Sequence, residues 1–140
     1  MGGNQKLSKI RLTEQFTLSA LHHLENELLS EEENKKLFGI CFRKHGHDYQ
    51  IQVEIEAEIN EATGLAFDRE RLEMVISKSV KDKFEGRFLN EHFDCTSGEA
   101  LSYYFFKLLE LPIRKELAGA HLYALHIQET RKNWFSYSKE

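Results

Sequence analysis

The chain has 140 residues, of which 41% are hydrophobic, and this content suits a single domain over residues 1–140 with its own core. A formal net charge of −4 without a basic patch argues against a nucleic-acid partner, and no apolar run is long enough to span a membrane. The chain lacks the apolar segment of a signal peptide and has only two cysteines, so we expect a cytoplasmic protein, with residues 1–9 flexible.

The first predicted element is a β-strand from Ile10 to His22, because polar and apolar residues alternate there. The even positions form the more apolar face, and His22 lies at the end of that face. His23 has the opposite orientation and is expected to point towards solvent.

A short helix is predicted over residues 31–38. Ser30 and Glu33 have the spacing of a capping box, and Gly39 is placed to end the helix. The acidic residues at its start are expected to form a solvated face.

The longest alternating segment runs from His45 to Ile59, and it places His45 and His47 on the apolar face of a second strand. Two imidazoles on such a face are either core histidines with satisfied hydrogen bonds or metal ligands. Cys41, four residues before His45, favours a metal, although a cysteine there can also be a small buried hydrophobic residue. If His22 lies beside them, three histidines form a zinc site with one position open.

Two longer helices follow. Asp68 is expected to cap the first, which ends near Gly86, and residues 88–93 form a loop. Thr96 or Ser97 caps the second, and Pro112 is expected to stop it.

Two strands close the chain, the last over residues 133–137. In the first of them, alternation predicts one face that carries His121, Tyr123, Leu125, Ile127 and Glu129. A carboxylate at the end of an apolar row must be paired, either with Arg or Lys or with a ligand that offers adjacent N–H donors. The element order is β-β-α-α-β-β, which predicts an α+β fold, a four-stranded antiparallel sheet with two helices on one face.

Several of these segments resemble the 6-pyruvoyl tetrahydropterin synthase family, including its queuosine branch, 6-carboxytetrahydropterin synthase. The likeness extends over residues 16–137. The matching segments are Phe16–His22, the helical insert at 30–39, Cys41-x-x-x-His45-Gly-His47, Thr63–Asp68 and Gln128-Glu129-Thr130.

The resemblance implies a tunnelling fold that assembles as an oligomeric barrel, a hexamer of two trimers with sites between subunits. It implies a zinc-dependent lyase that acts on 7,8-dihydroneopterin triphosphate. The family motifs then assign zinc binding to His22, His45 and His47, proton abstraction to Cys41, and pterin binding to Glu129, Thr96 and Ser97.

Two departures from the family motifs bear on catalysis. The family reads Leu-Asp-His-x-x-Leu-Asn where this chain has Phe84-Glu85-Gly86-Arg87-Phe88-Leu89-Asn90, so Glu85 replaces the catalytic Asp and Gly86 replaces the relay histidine. His92, in the loop that follows, is the candidate substitute. Gly98 stands where the family has a Glu that helps to hold the pterin.

The sequence therefore leaves two further interpretations open. One is a divergent homologue that binds zinc and pterin but has altered or lost catalysis. The other, a metal-stabilised scaffold, leaves Cys41 and Glu129 without a role.

Overall fold

A four-stranded antiparallel sheet in the order β1-β2-β3-β4 forms the frame of the protein, and the longer helices pack against one of its faces, here called the inner face. The computed structural model describes residues 9–139. The elements are β1 (Lys9–His22), α1 (Glu31–Phe38), β2 (His45–Glu58), α2 (Arg69–Ile76), α3 (Asp82–Phe84), α4 (Gly98–Glu116), β3 (Ala120–Thr130) and β4 (Asn133–Ser138). The predicted α+β fold is confirmed. Of the terminal residues predicted to be flexible, residues 1–8 lie outside the described part, and Lys9 begins β1.

The alternation of β1 and β2 produces the core as predicted. The two strands pair along their whole length, with Ala20 opposite His47 and His22 opposite His45. Tyr49 and Ile51 follow the two histidines on the inner face of β2, and both are fully buried. The apolar rows of the two strands therefore end together, with three histidines at the same end of the sheet.

Helix α1 connects the two strands as predicted, with the reciprocal capping box of Ser30 and Glu33. Its buried residue is Asn34, whose amide donates to the backbone carbonyls of Asn26 and Ser30 and accepts from the Asn26 N–H. Beyond α1, the Cys41 carbonyl accepts a hydrogen bond of 2.8 Å from the Leu24 N–H. These contacts hold the segment before His45 beside the end of β1.

The helical segment after β2 begins at Asp68, whose side chain accepts from two backbone N–H groups of the first turn. A π-helical turn at Ser77–Lys81 separates α2 from α3, and the chain leaves the helix at Gly86 with φ +71°. The Gly86 N–H donates to the Ser19 carbonyl at 2.7 Å. The end of the segment therefore lies along the outer edge of β1.

The prediction that Pro112 stops the last helix is wrong, because α4 continues to Glu116. An internal proline removes one helical hydrogen bond and costs about 3 kcal/mol. Ile113 and Leu117, just beyond it, are buried in the core and offset that cost. Within residues 9–139, no helix is both long enough and apolar enough to cross a membrane.

The prediction of which residues share one face of β3 is correct only for the second half of the strand. Glu54 pairs with Ala124 and Ile55 pairs with Leu122, so Tyr123 is an extra residue in a β-bulge. The bulge turns His121 and Tyr123 to the outer face, where His121 lies 3.4 Å from Glu56. Leu125 and Ile127 remain buried, and Glu129 follows them on the inner face.

Candidate metal centre

Three histidines converge where β1 ends and β2 begins. One nitrogen from each of His22, His45 and His47 lies within 4.8 Å of the others, and the three imidazole centroids are 4.5 to 5.0 Å apart. His22 is buried, whereas His45 and His47 are partly exposed. The structure thus brings together the three candidate ligands that the strand periodicity indicated.

Backbone carbonyls orient two of these rings. The Nδ1 atom of His22 lies 2.8 Å from the Thr96 carbonyl oxygen, and the Nδ1 atom of His45 lies 2.6 Å from that of Arg43. A carbonyl only accepts, so each Nδ1 carries the hydrogen and each Nε2 has a free lone pair. This arrangement is typical of metal-binding histidines, whose second nitrogen is held by a neighbouring acceptor.

A cation fits the electrostatics of this cluster. Among the buried side-chain polar atoms of residues 9–139, three lack a hydrogen-bond partner: His22 Nε2, His47 Nε2 and the Tyr49 hydroxyl. The two Glu129 oxygens lie 3.8 Å from His22 Nε2 and 4.0 Å from His47 Nε2. Lone pairs on carboxylate and imidazole therefore face one another, and a positive charge between them would remove the repulsion.

A proton does not supply that charge at neutral pH. Burial lowers the pKa of His22 to about 4, and burial also lowers the pKa of His47. Both imidazoles are therefore neutral at pH 7, which is the form that binds metals. Three imidazoles with an adjacent carboxylate suit a divalent transition metal.

The carboxylate of Glu129 faces the histidines rather than a basic side chain. In the described part of the chain it forms no ion pair with Arg or Lys, so the salt-bridge alternative does not hold. About 19% of its side chain is exposed, which leaves it accessible to a ligand at the metal centre.

Cys41 and His23 lie in the segments that adjoin this end of the sheet, Cys41 before β2 and His23 directly after β1. Cys41 is an exposed free thiol, so it is not a small buried hydrophobic residue. The prediction that His23 points into solvent is only partly correct, because its ring has aromatic neighbours. Its ring packs between those of Phe42 and Phe88, because the chain on both sides folds back against the end of β1.

Comparison with known proteins identifies the family. Residues 11–140 match the family described as 6-pyruvoyl tetrahydropterin synthase. The chain belongs to the 6-pyruvoyl tetrahydropterin synthase family. It is 31% identical over 134 residues to 6-pyruvoyl tetrahydrobiopterin synthase of Dictyostelium discoideum. This alignment covers 92% of this chain and 96% of that protein. It is also 35% identical over 135 residues to the Drosophila melanogaster protein of the same name. That alignment covers 90% of this chain and 77% of the Drosophila protein.

A solved structure agrees with this assignment. The fold is similar to that of Caenorhabditis elegans 6-pyruvoyl tetrahydropterin synthase, with a TM-score of 0.83, 27% sequence identity, and coverage of 97% of this chain and 99% of that one. The tunnelling fold that the resemblance implied is therefore confirmed for the single chain.

Thr96 and Ser97, the family-implied substrate residues, make structural contacts in this chain. Thr96 is buried, its carbonyl accepts from His22, and its hydroxyl donates to the His23 carbonyl at 3.0 Å. The Ser97 hydroxyl accepts from the Ala100 N–H and caps α4. Sequence reasoning missed that Thr96 orients His22, because a main-chain carbonyl leaves no signal in residue type.

The residues that replace the family's relay lie at the edge of β1. Glu85 accepts a hydrogen bond of 3.3 Å from the Ser19 N–H. Gly86 and His47 line the same shallow groove, of about 260 Å³. His92 is exposed, and its ring contacts Phe84 edge to face. The other residues that line this groove include Leu21 and Asp48 on the outer face, whereas the imidazole of His47 lies on the inner face with His22, and glycine offers no side chain at position 86.

Gly98, where the family has a Glu, has its side-chain space filled by a neighbouring ring. A Cβ atom at this position would overlap the ring of Phe135 on β4. Such an overlap is impossible without displacement of the ring or of α4. An aromatic ring from β4 therefore occupies the space that a side chain at position 98 would need.

This close approach predicts a strong coupling between the two residues. We expect Gly98→Ala to lower the free energy of unfolding by about 1–3 kcal/mol, the usual cost of overpacking a core. In a Phe135→Leu background, the same alanine should cost much less, because the smaller side chain can move away. Urea denaturation of the four proteins of this cycle measures the effect. Equal costs in both backgrounds would contradict the contact.

Proposed function

We propose that this protein is a zinc-dependent lyase that converts 7,8-dihydroneopterin triphosphate to 6-pyruvoyl tetrahydropterin. The observation that carries the proposal is the cluster of three imidazoles, two of which face Glu129, with the free thiol of Cys41 four residues before His45 in the chain. The names of the relatives point to the same product. Zinc at this position would supply a Lewis acid that lowers the pKa of hydroxyl and C–H groups on a bound side chain.

Six residues of this chain have proposed roles in the reaction. Cys41 is the general base that removes protons from the substrate side chain, which leads to loss of triphosphate and internal redox transfer. Glu129 accepts hydrogen bonds from the N–H donors of the pterin pyrimidine edge. Its partial exposure and its freedom from Arg and Lys pairs support this role. Thr96 and Ser97 shape the pterin side of the site, and Glu85 and His92 are the candidates for proton relay.

The same proposal includes a homo-oligomer, a hexamer of two trimers in which the sheets join as a barrel. Its support is that β1 and β4 lie at the two edges of the sheet, and that the segment around Gly86 bonds to the edge of β1 only near its end, at Ser19 and Leu21. We also propose that the protein is cytoplasmic and forms one domain over residues 1–140. Both cysteines are unpaired thiols, the state that a reducing compartment maintains.

Product analysis tests the function directly. The purified, zinc-loaded protein is incubated with 7,8-dihydroneopterin triphosphate, and the products are identified by mass spectrometry. We expect 6-pyruvoyl tetrahydropterin and triphosphate. Formation of 6-carboxytetrahydropterin with acetaldehyde would instead assign the queuosine-type reaction, and an unchanged substrate would contradict both.

A second candidate function is a pterin- and zinc-binding homologue with altered or lost catalysis. The observations that favour it are Gly86 in place of the relay histidine and Phe135 in the space of the family's Glu. Binding of pterin and zinc without turnover would be its signature in the same experiment.

The role of Glu129 can be tested separately from turnover. Glu129→Gln keeps the shape of the side chain and removes its charge. Pterin affinity should therefore fall by about 1.5–3 kcal/mol, the usual contribution of a hydrogen bond to a charged group. Fluorescence titration with oxidised neopterin measures this affinity, and Glu25→Gln, another carboxylate near the strand ends, is the control. Unchanged affinity in Glu129→Gln would remove this residue from the site.

A further inference from the structure

Tyr49 has a buried hydroxyl group for which the proposed reaction has no use. Its side chain is fully buried, and its hydroxyl has no hydrogen-bond partner. It follows His45 and His47 on the inner face of β2, and its ring centroid lies 5.9 Å from that of His22 and 5.4 Å from that of His47. Phenylalanine would fill the same space without burying an unpaired polar group.

The position of this hydroxyl is informative because the other unpaired atoms lie beside it. Within residues 9–139, all three buried side-chain polar atoms that lack partners belong to His22, His47 and Tyr49. Two of them are imidazole nitrogens, which can bind a metal. The third, a hydroxyl, can donate a hydrogen and needs an acceptor in the same small region.

Glu129 is a nearby carboxylate without an Arg or Lys partner among residues 9–139. The Thr96 carbonyl is already bonded to His22, and the Arg43 carbonyl to His45. The register that pairs Gln50 with Gln128 brings Tyr49 opposite Glu129 on the neighbouring strand. A tyrosine hydroxyl can donate a hydrogen bond to a carboxylate oxygen.

We propose that Tyr49 is a positioning residue, which donates a hydrogen bond to the Glu129 carboxylate when a divalent cation occupies the three histidines. Without the cation, the carboxylate faces two bare imidazole nitrogens at 3.8 and 4.0 Å. With the cation in place, that repulsion ends, and one oxygen of Glu129 turns to the Tyr49 hydroxyl. The other oxygen is then held in a fixed orientation towards the ligand. The inference rests on the proposed function, since it concerns the carboxylate assigned to the pterin.

Tyr49→Phe removes this hydroxyl and nothing else. Without zinc, the variant should melt at a higher temperature than the wild type, because a buried unpaired group has been removed. With zinc, it should gain less in melting temperature than the wild type, because the hydrogen bond contributes to zinc affinity only in the loaded state. Tyr137→Phe, on the same sheet but away from the histidines, is the control and should leave the zinc-induced gain unchanged.

Neopterin titrations of the zinc-loaded proteins give the second measurement. We expect Tyr49→Phe to weaken binding about tenfold, the size of one hydrogen bond to a charged group. In a Glu129→Gln background, Tyr49→Phe should have little further effect, because the two residues act together. Additive losses, or unchanged affinity, would overturn the inference.

The two measurements also separate this inference from the proposed function. If the wild type does not bind neopterin, the pterin function fails, and the melting experiment still decides the role of Tyr49. If Tyr49→Phe shifts the melting temperature from the wild-type value by the same amount with and without zinc, the hydroxyl does not respond to the metal. That result alone would overturn the inference.

Discussion

Replacing Cys41 with alanine is expected to lower kcat by about two to four orders of magnitude while zinc remains bound. General acid–base groups contribute rate factors of this size, and in the proposed reaction the Cys41 thiolate removes protons from the substrate side chain. The thiol is exposed, and its carbonyl is fixed to Leu24, so alanine removes the sulfur without disturbing the core. Single-turnover kinetics and metal analysis of the same sample measure the two properties.

Cys95 provides a matched control for this experiment. It is also an exposed free thiol, and it contacts the Ser97 hydroxyl at 3.6 Å rather than the segment before His45. Cys95→Ala should therefore keep full turnover. A Cys41→Ala protein with wild-type kcat would show that a different group accepts the proton, and the proposed role of Cys41 would be wrong.

The second large effect concerns the absent relay histidine. We expect slow turnover in the wild type and a faster reaction in Gly86→His, by up to about two orders of magnitude. A Cβ atom at this position meets no neighbour within 4 Å, and the groove beside it leaves room for a larger side chain. The positive φ of +71° strains any side chain, which costs about 1–2 kcal/mol and reduces the gain.

Gly86→Ala carries the same backbone strain without the imidazole and is the reference for Gly86→His. Their ratio of kcat isolates the effect of the ring. His92→Ala tests the substitute relay, since a large loss of turnover with zinc still bound would assign the relay to His92. If Gly86→His and Gly86→Ala have the same kcat, and His92→Ala keeps the wild-type kcat, no histidine relay operates in this protein.

The sequence predicted the elements that depend on local pattern. Strict alternation in β1 and β2 determines which residues face inwards, and this alone indicated that His22, His45 and His47 share one end of the sheet. Capping residues were equally clear, because Ser30 and Asp68 bond to backbone groups only a few residues away. Local hydrogen bonds and periodicity follow directly from residue types.

Features that depend on contacts between distant segments could not be predicted in this way. The bulge at Tyr123 moves His121 to the outer face, and alternation cannot show it because Ala120 and Leu122 are also apolar. The helix continues through Pro112 because the core holds the residues beyond it. The contact between Gly98 and Phe135 joins the start of α4 to the last strand, and only the fold reveals it.

The central claim is that His22, His45 and His47 bind one zinc ion, and metal analysis of His45→Ala tests it most directly. His45 is partly exposed, so its loss should leave the fold intact and remove one ligand. His121→Ala, which changes an exposed histidine on the outer face, is the control and should retain wild-type zinc. We expect about one zinc per chain in the wild type and a strong loss in His45→Ala. Unchanged zinc stoichiometry in His45→Ala would contradict it.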